Sequence, residues 1–123
     1  MLRPSTVLVV DDNPDMLQLY RRFLSGSSHV IVEARSGDEA MTLAGELQPD
    51  AVILDVMMPD RDGWETLQML RRLPATSRIP IIVCSVLRQQ ELALSLGATS
   101  FLEKPVTQQA ILSTLEKCRG LGP

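Results

Sequence analysis

The sequence predicts an α/β fold of three layers, αβα, around a five-stranded parallel sheet in the order 2-1-3-4-5. Two observations predict it. Along 123 residues the apolar positions switch five times from the pattern of a buried strand to that of an amphipathic helix. Each helix is then a crossover between parallel neighbours. The strands also differ in polarity: 1, 3 and 4 are continuously aliphatic, whereas strand 2 carries His29 and Glu33 and strand 5 carries Ser100 and Glu103. Strands covered on both faces exclude such groups, so 2 and 5 belong at the edges. Right-handed crossovers put helices 1 and 5 on one face and helices 2, 3 and 4 on the other.

The elements follow in order. Strand 1 is the β-branched and aliphatic run Thr6–Val10. Helix 1 opens at Asn13-Pro14, a polar cap followed by proline in the first turn, and presents Met16, Tyr20 and Phe23 with Leu17 and Leu24 widening the stripe. Gly26 and its neighbouring serines end it. Val30–Glu33 forms strand 2. Ser36 and Glu39 make a capping box for helix 2, whose face is Ala40, Leu43, Ala44 and Leu47, with Pro49 as the stop. Ala51–Leu54 is strand 3, Asp62-Gly63 leads into helix 3 through Leu73, and Pro74 closes it. Ile81–Cys84 is strand 4; a short helix 4 runs to Leu96, capped by Gly97. Strand 5 spans Thr99–Glu103 and helix 5 runs from about Thr107 to Cys118.

Composition excludes several classes of function. With 45% hydrophobic residues the chain can bury a core, yet its longest apolar runs are too short for a membrane span. Met1-Leu2-Arg3-Pro4 leads straight into strand 1, so no signal peptide is expected, and Cys84 and Cys118 read as buried thiols of a cytoplasmic protein. Twelve Lys+Arg against fifteen Asp+Glu, a net charge of −3 and 3% aromatics leave no surface for direct nucleic-acid binding. The pairs Arg21-Arg22 and Arg71-Arg72 read as solvated helix faces. A lone histidine, His29, removes histidine-pair metal sites.

Chemistry is expected where parallel strands end, near the reversal of strand order between strands 1 and 3. Strand 1 ends in Asp11-Asp12, strand 3 in Asp55, strand 4 in Ser85 and strand 5 in Lys104. Each has a plain structural use as a cap, a turn residue or a surface cation. Together they are harder to dismiss. Two like charges 4 Å apart cost about 4 kcal/mol at an effective dielectric of 20, a large part of a typical stability of about 5–15 kcal/mol. Lys104 offsets one charge, and a divalent ion would offset the rest. Oxygen ligands without His or Cys favour a hard ion, and few carboxylates with open positions suit Mg²⁺. A metal, an ammonium and a hydroxyl around carboxylates make a site for a phosphoryl group, with Asp55 as the nucleophile that forms an acyl phosphate.

Val9-Val10-Asp11-Asp12-Asn13, Leu54-Asp55-Val56-Met57-Met58-Pro59 with Asp62-Gly63, Cys84-Ser85, Gly97-Ala98 and Lys104-Pro105 resemble the receiver domain of two-component response regulators. The match runs in order from residue 6 to 118, within a single domain of residues 1–123 whose residues 119–123 form a tail or the start of a linker. The resemblance implies the flavodoxin-like receiver fold and a phosphoacceptor switch, not an enzyme that turns over an external substrate. A sensor histidine kinase or phosphotransfer protein would donate a phosphoryl group to Asp55. Asp12, Asp55 and the Met57 backbone carbonyl would bind Mg²⁺, and Asp11 would assist through water. Lys104 would hold the phosphoryl group, and its bond to Pro105 would be cis. Ser85 and Phe101 would be the switch pair, with Phe101 turning inward. Helix 4, strand 5 and helix 5 would form the surface that meets an effector, an output domain or a second copy of the chain.

One feature departs from the family. Ser85 and Lys104 are nineteen positions apart, about one helical turn shorter than usual, so the loop after strand 4 or helix 4 is shortened and Leu87 and Leu94 are candidates for exposure. Rival readings are weaker. A phosphohydrolase of the haloacid dehalogenase type needs Asp-x-Asp where this chain has Asp11-Asp12-Asn13, and there is no GxGxxG or P-loop for a nucleotide. A passive interaction module has no use for all three acids and Lys104.

Overall fold

The computed structural model describes residues 4–57 and 63–119. The elements are β1 (Ser5–Val10), α1 (Pro14–Leu24), β2 (His29–Ala34), α2 (Gly37–Leu47), β3 (Ala51–Asp55), α3 (Gly63–Arg72), β4 (Ile81–Ser85), α4 (Gln90–Ser95), β5 (Ser100–Glu103) and α5 (Gln108–Arg119). All strands are parallel and their order is β2-β1-β3-β4-β5, as polarity predicts. The expected residues Met1–Arg3, Met58, Pro59, Asp62 and the tail 120–123 lie outside the described residues.

Local chemistry sets the helix starts. The Asn13 side chain accepts from Asp15 N–H, and Pro14 takes the first helical position, where a missing N–H costs nothing. Ser36 accepts from Glu39 N–H, as the capping box requires. The alternation of each strand feeds two cores. One lies beneath α2, α3 and α4 and takes Leu8, Val10, Leu54, Leu67, Leu70 and Ile81. The other lies beneath α1 and α5 and takes Val7, Val9, Leu17, Tyr20, Ile53 and Ile111. This is the distribution of helices that right-handed crossovers dictate.

Some expectations need correction. Leu47 sits on the apolar stripe of α2 yet is 46% exposed, because the helix ends there and Gln48 turns left-handed at φ 49°. On α1 the fully buried residues are Leu17, Tyr20 and Leu24, while Met16 and Phe23 only flank the core. Arg71 is no solvated cation. Its guanidinium is partly buried and donates to the carbonyls of Gly97, Ser77 and Ile79 and to the Thr99 hydroxyl. Arg21 does face solvent, where it pairs with Glu33 on the edge strand β2. Cys84 and Cys118 are both free and buried, and burial pushes the Cys84 thiol up to about 11. Among the described residues no helix is long and apolar enough to cross a membrane.

Candidate functional site

Register brings the predicted residues to one rim. Val10 lies opposite Leu54, and Asp55 opposite Cys84, so β1, β3 and β4 end side by side. Asp11, Asp12 and Asp55 offer carboxylate oxygens that all lie within 4.8 Å of one another. Two of the three are buried, Asp11 at 1% and Asp55 at 6% exposure. The backbone holds them by their near oxygens: Asn13 N–H donates to Asp11 Oδ1 and Met57 N–H to Asp55 Oδ1, each at 3.0 Å. The Oδ2 atoms face Lys104, whose Nζ stands 3.3 Å from Asp11 Oδ2 and 3.7 Å from Asp55 Oδ2.

Lys104 reaches inward because β5 is anchored. Its own N–H donates to the Ser85 carbonyl at 2.8 Å, and the next peptide bond, to Pro105, is cis as expected. The Ser85 side chain is fully buried, and its Oγ accepts from Leu87 N–H at 3.1 Å. Phe101 is half-buried: it touches the core beneath α2, α3 and α4 on one side and lines an open groove of about 650 Å³ beside α4 on the other. Leu87 and Leu94 are 43% and 44% exposed, as the shortened segment suggested.

Charge does not balance at this rim. Three carboxylates meet one ammonium among the described residues. Burial pushes the Asp11 carboxyl above its ordinary value and Asp55 adds repulsion, while the Asn13 N–H and Lys104 pull it back. The donor set is oxygen only, two of its carboxylates are desolvated, and Asp12 keeps a path to water. This chemistry fits a hard divalent cation such as Mg²⁺.

Three residues support the site in ways the sequence did not assign to them. Gly63 begins α3 so close to β3 that a Cβ would stand 2.3 Å from Val56 Cα and 2.7 Å from the Asp55 carbonyl oxygen. Only glycine lets α3 start there, and its place directly after Asp62 was the available signal. Tyr20 and Cys84 pack in the core beneath α1 and α5, and burial together with Cys84 drives the Tyr20 hydroxyl far above its ordinary value.

The response regulator receiver domain model matches residues 7–116. The chain belongs to this family. The response regulator GtcR of Aneurinibacillus migulanus is 35% identical over 103 residues, covering 81% of this chain but 41% of its own length. The chemotaxis protein CheY of Listeria monocytogenes is 35% identical over 116 residues, 90% of this chain and 95% of that protein. The chain therefore spans nearly all of one such receiver relative and less than half of the other. Among solved structures, a putative response regulator from Chloroflexus aurantiacus superposes with a TM-score of 0.90 at 27% identity, over 96% of this chain and 99% of that one. The receiver domain of the sensor histidine kinase PA1611 from Pseudomonas aeruginosa, solved with a magnesium ion coordinated in its active site cleft, superposes at 0.86 with 24% identity, over 94% and 98%. That likeness bears on the fold alone. This chain is thus a receiver domain of the response regulators of two-component systems.

Proposed function

We propose that the chain is a phosphoacceptor switch in which Asp55 takes a phosphoryl group from a histidine kinase or phosphotransfer protein. The observation that carries this reading is the Lys104 ammonium lying between Asp11 and Asp55 at the mouth of a cluster of three acids. One oxygen of Asp55 attacks phosphorus as the phosphorus–nitrogen bond to the donor imidazole breaks. The product is an aspartyl acyl phosphate, and the released imidazole nitrogen takes up a proton from water. Met57 N–H orients the carboxylate by binding its other oxygen.

Asp12, Asp55 and the Met57 carbonyl would hold magnesium in this reading, and Asp11 would assist through water. When bound, the ion supplies positive charge to the acids and to the incoming phosphoryl oxygens. Lys104 transfers its ammonium from Asp11 and Asp55 to a phosphoryl oxygen. The Ser85 hydroxyl donates to another, which disturbs its bond with Leu87 N–H. Phe101 then turns inward from the groove beside α4. It lacks a hydroxyl, so its inward state rests on packing. Driving such a surface from 1:99 to 99:1 takes about 5.5 kcal/mol of differential stabilisation.

The rearranged face of α4, β5 and α5 controls an effector, an output domain or a homodimer, and the chain acts as one domain in the cytoplasm. It catalyses its own phosphorylation and dephosphorylation and no external turnover. Intact-mass analysis after incubation with a small phosphodonor and Mg²⁺ tests this. Wild type should gain one phosphoryl adduct, and Asp55→Asn, or wild type in EDTA, should gain none. An adduct that persists in Asp55→Asn, or turnover of many phosphoester molecules per chain, overturns the reading.

A further inference from the structure

Six residues make α4 too short to hold itself, and it buries a single side chain, Ala93. Its two ends are anchored unequally. At the C-terminal end Ala98 N–H donates to the Ala93 carbonyl and Thr99 N–H to the Ile81 carbonyl. The Arg71 guanidinium then crosses from α3 into this corner. Its Nε donates to the Gly97 carbonyl at 2.7 Å, one terminal nitrogen to the Ile79 carbonyl at 2.6 Å and the Ser77 carbonyl at 3.3 Å, and the other to Thr99 Oγ1 at 3.2 Å. Thr99 Oγ1 also accepts from Ile81 N–H at 3.1 Å. Gly97 has φ +110°, and a Cβ there would meet Arg71 Cγ at 2.7 Å, so the fit between the two is close.

The N-terminal end has no such device. Gln89 occupies the cap position without a side-chain bond, and Val86 and Leu87 are 60% and 43% exposed. What holds this stretch is Leu87 N–H on Ser85 Oγ, then Gln89 N–H on the Leu87 carbonyl, and a solvent-exposed pair between Arg88 Nε and Glu103 Oε1 at 3.3 Å.

We infer that Arg71 pins the C-terminal end of α4 and the start of β5, so that any rearrangement released at Ser85 is largest at residues 86–92 and falls away toward Gly97. The inference deepens the switching role proposed for Ser85 and rests on it. Freeing the near end breaks one bond to a serine hydroxyl and a solvent-exposed Arg88–Glu103 pair worth little. Freeing the far end breaks several guanidinium bonds together and strands partly buried carbonyls. The short helix therefore pivots about Gly97 instead of sliding or melting.

Amide hydrogen exchange by NMR tests the pivot with Ser85→Ala as the perturbation, so the result stands whether or not Asp55 accepts a phosphoryl group. Ser85→Ala should raise exchange at Leu87 and Gln89, the bonded amides of residues 86–92, by ~10-fold and leave Ala98 and Thr99 within ~2-fold of wild type. Adding Arg71→Lys, which keeps the charge and loses the planar fork, should extend the ~10-fold rise to Gly97, Ala98 and Thr99 while Ile53 and Leu54 of β3 stay at wild-type rates. Gly97→Ala in place of Arg71→Lys displaces the guanidinium by another route and should give the same spread. Faster exchange at Ala98 and Thr99 in Ser85→Ala alone overturns the inference. So does a double variant that leaves them protected, or one that accelerates β3 equally, which would make Arg71 a general stabiliser.

Discussion

The two rims of the sheet carry charge in opposite ways. At the rim where strands begin, His29, Asp50, Glu116 and Arg119 gather, and the charges of Asp50, Glu116 and Arg119 are relieved locally. Glu116 is 58% exposed and meets both His29 Nε2 at 3.4 Å and Arg119 at 3.5 Å, while Asp50 accepts from Thr6 N–H. At the rim where strands end, Asp11 and Asp55 are buried and, with Asp12, outnumber Lys104 three to one. The first arrangement is what a fold does when charge is incidental. The second keeps repulsion that folding alone has no reason to retain, and that difference separates a structural cluster from a site.

Substitutions at the two rims should therefore differ in size. Lys104→Met leaves two buried carboxylates without their ammonium. It should cost about 3 kcal/mol, the lower end for a broken buried pair because Asp12 opens the site to water. Urea unfolding checks this, and at one Mg²⁺ concentration the ion should stabilise Lys104→Met more than wild type, because the variant lacks the ammonium that competes for the same carboxylates. An equal loss with and without the ion would remove the electrostatic reason for the difference between the rims.

Next in size is Gly63→Ala. Its methyl would sit 2.3 Å from Val56 Cα, so α3 must retreat from the end of β3. The expected loss is about 2–3 kcal/mol, read from the shift of the urea midpoint.

The opposite rim should respond least. His29→Gln is expected to cost about 1 kcal/mol at pH 7. Burial holds the His29 imidazole below its ordinary value of 6.5, helped by Arg119 and opposed by Glu116 and Asp50. The unfolded chain then binds a proton more readily than the folded one. The stability His29 contributes is present above pH 6.5 and is lost as pH falls below it, toward and through the lowered folded value. Urea midpoints at pH 7 and pH 5 should decline for wild type and decline less for His29→Gln. Equal slopes would mean that protonation at this rim is carried elsewhere.

Much of this was legible in the sequence because strand ends are legible. Aliphatic runs that stop at Asp11, Asp55 and Ser85, and a mixed strand that stops at Lys104, specify which side chains share a rim, and the polar residues of β2 and β5 specify the edges. What escaped depends on distances between segments far apart in the chain. Arg71 looks like any helix cation until Gly97, Ile79 and Thr99 are folded around it. Leu47 belongs to the stripe by spacing but falls at the last residue of its helix. Gly63 is visible as a glycine, whereas its approach to Val56 is a property of how α3 docks. Lys104 was expected to offset one of the acids' charges, and it does; that its ammonium reaches both Asp11 and Asp55 is what the spacing does not specify.

Calorimetric titration with Mg²⁺ alone, on wild type and on Asp12→Asn, tests most directly whether the gathered acids form a metal site. The account predicts one ion per wild-type chain and affinity weaker by at least ~10-fold in Asp12→Asn. No heat of binding to the wild type at millimolar Mg²⁺, or an unchanged affinity in Asp12→Asn, would contradict it.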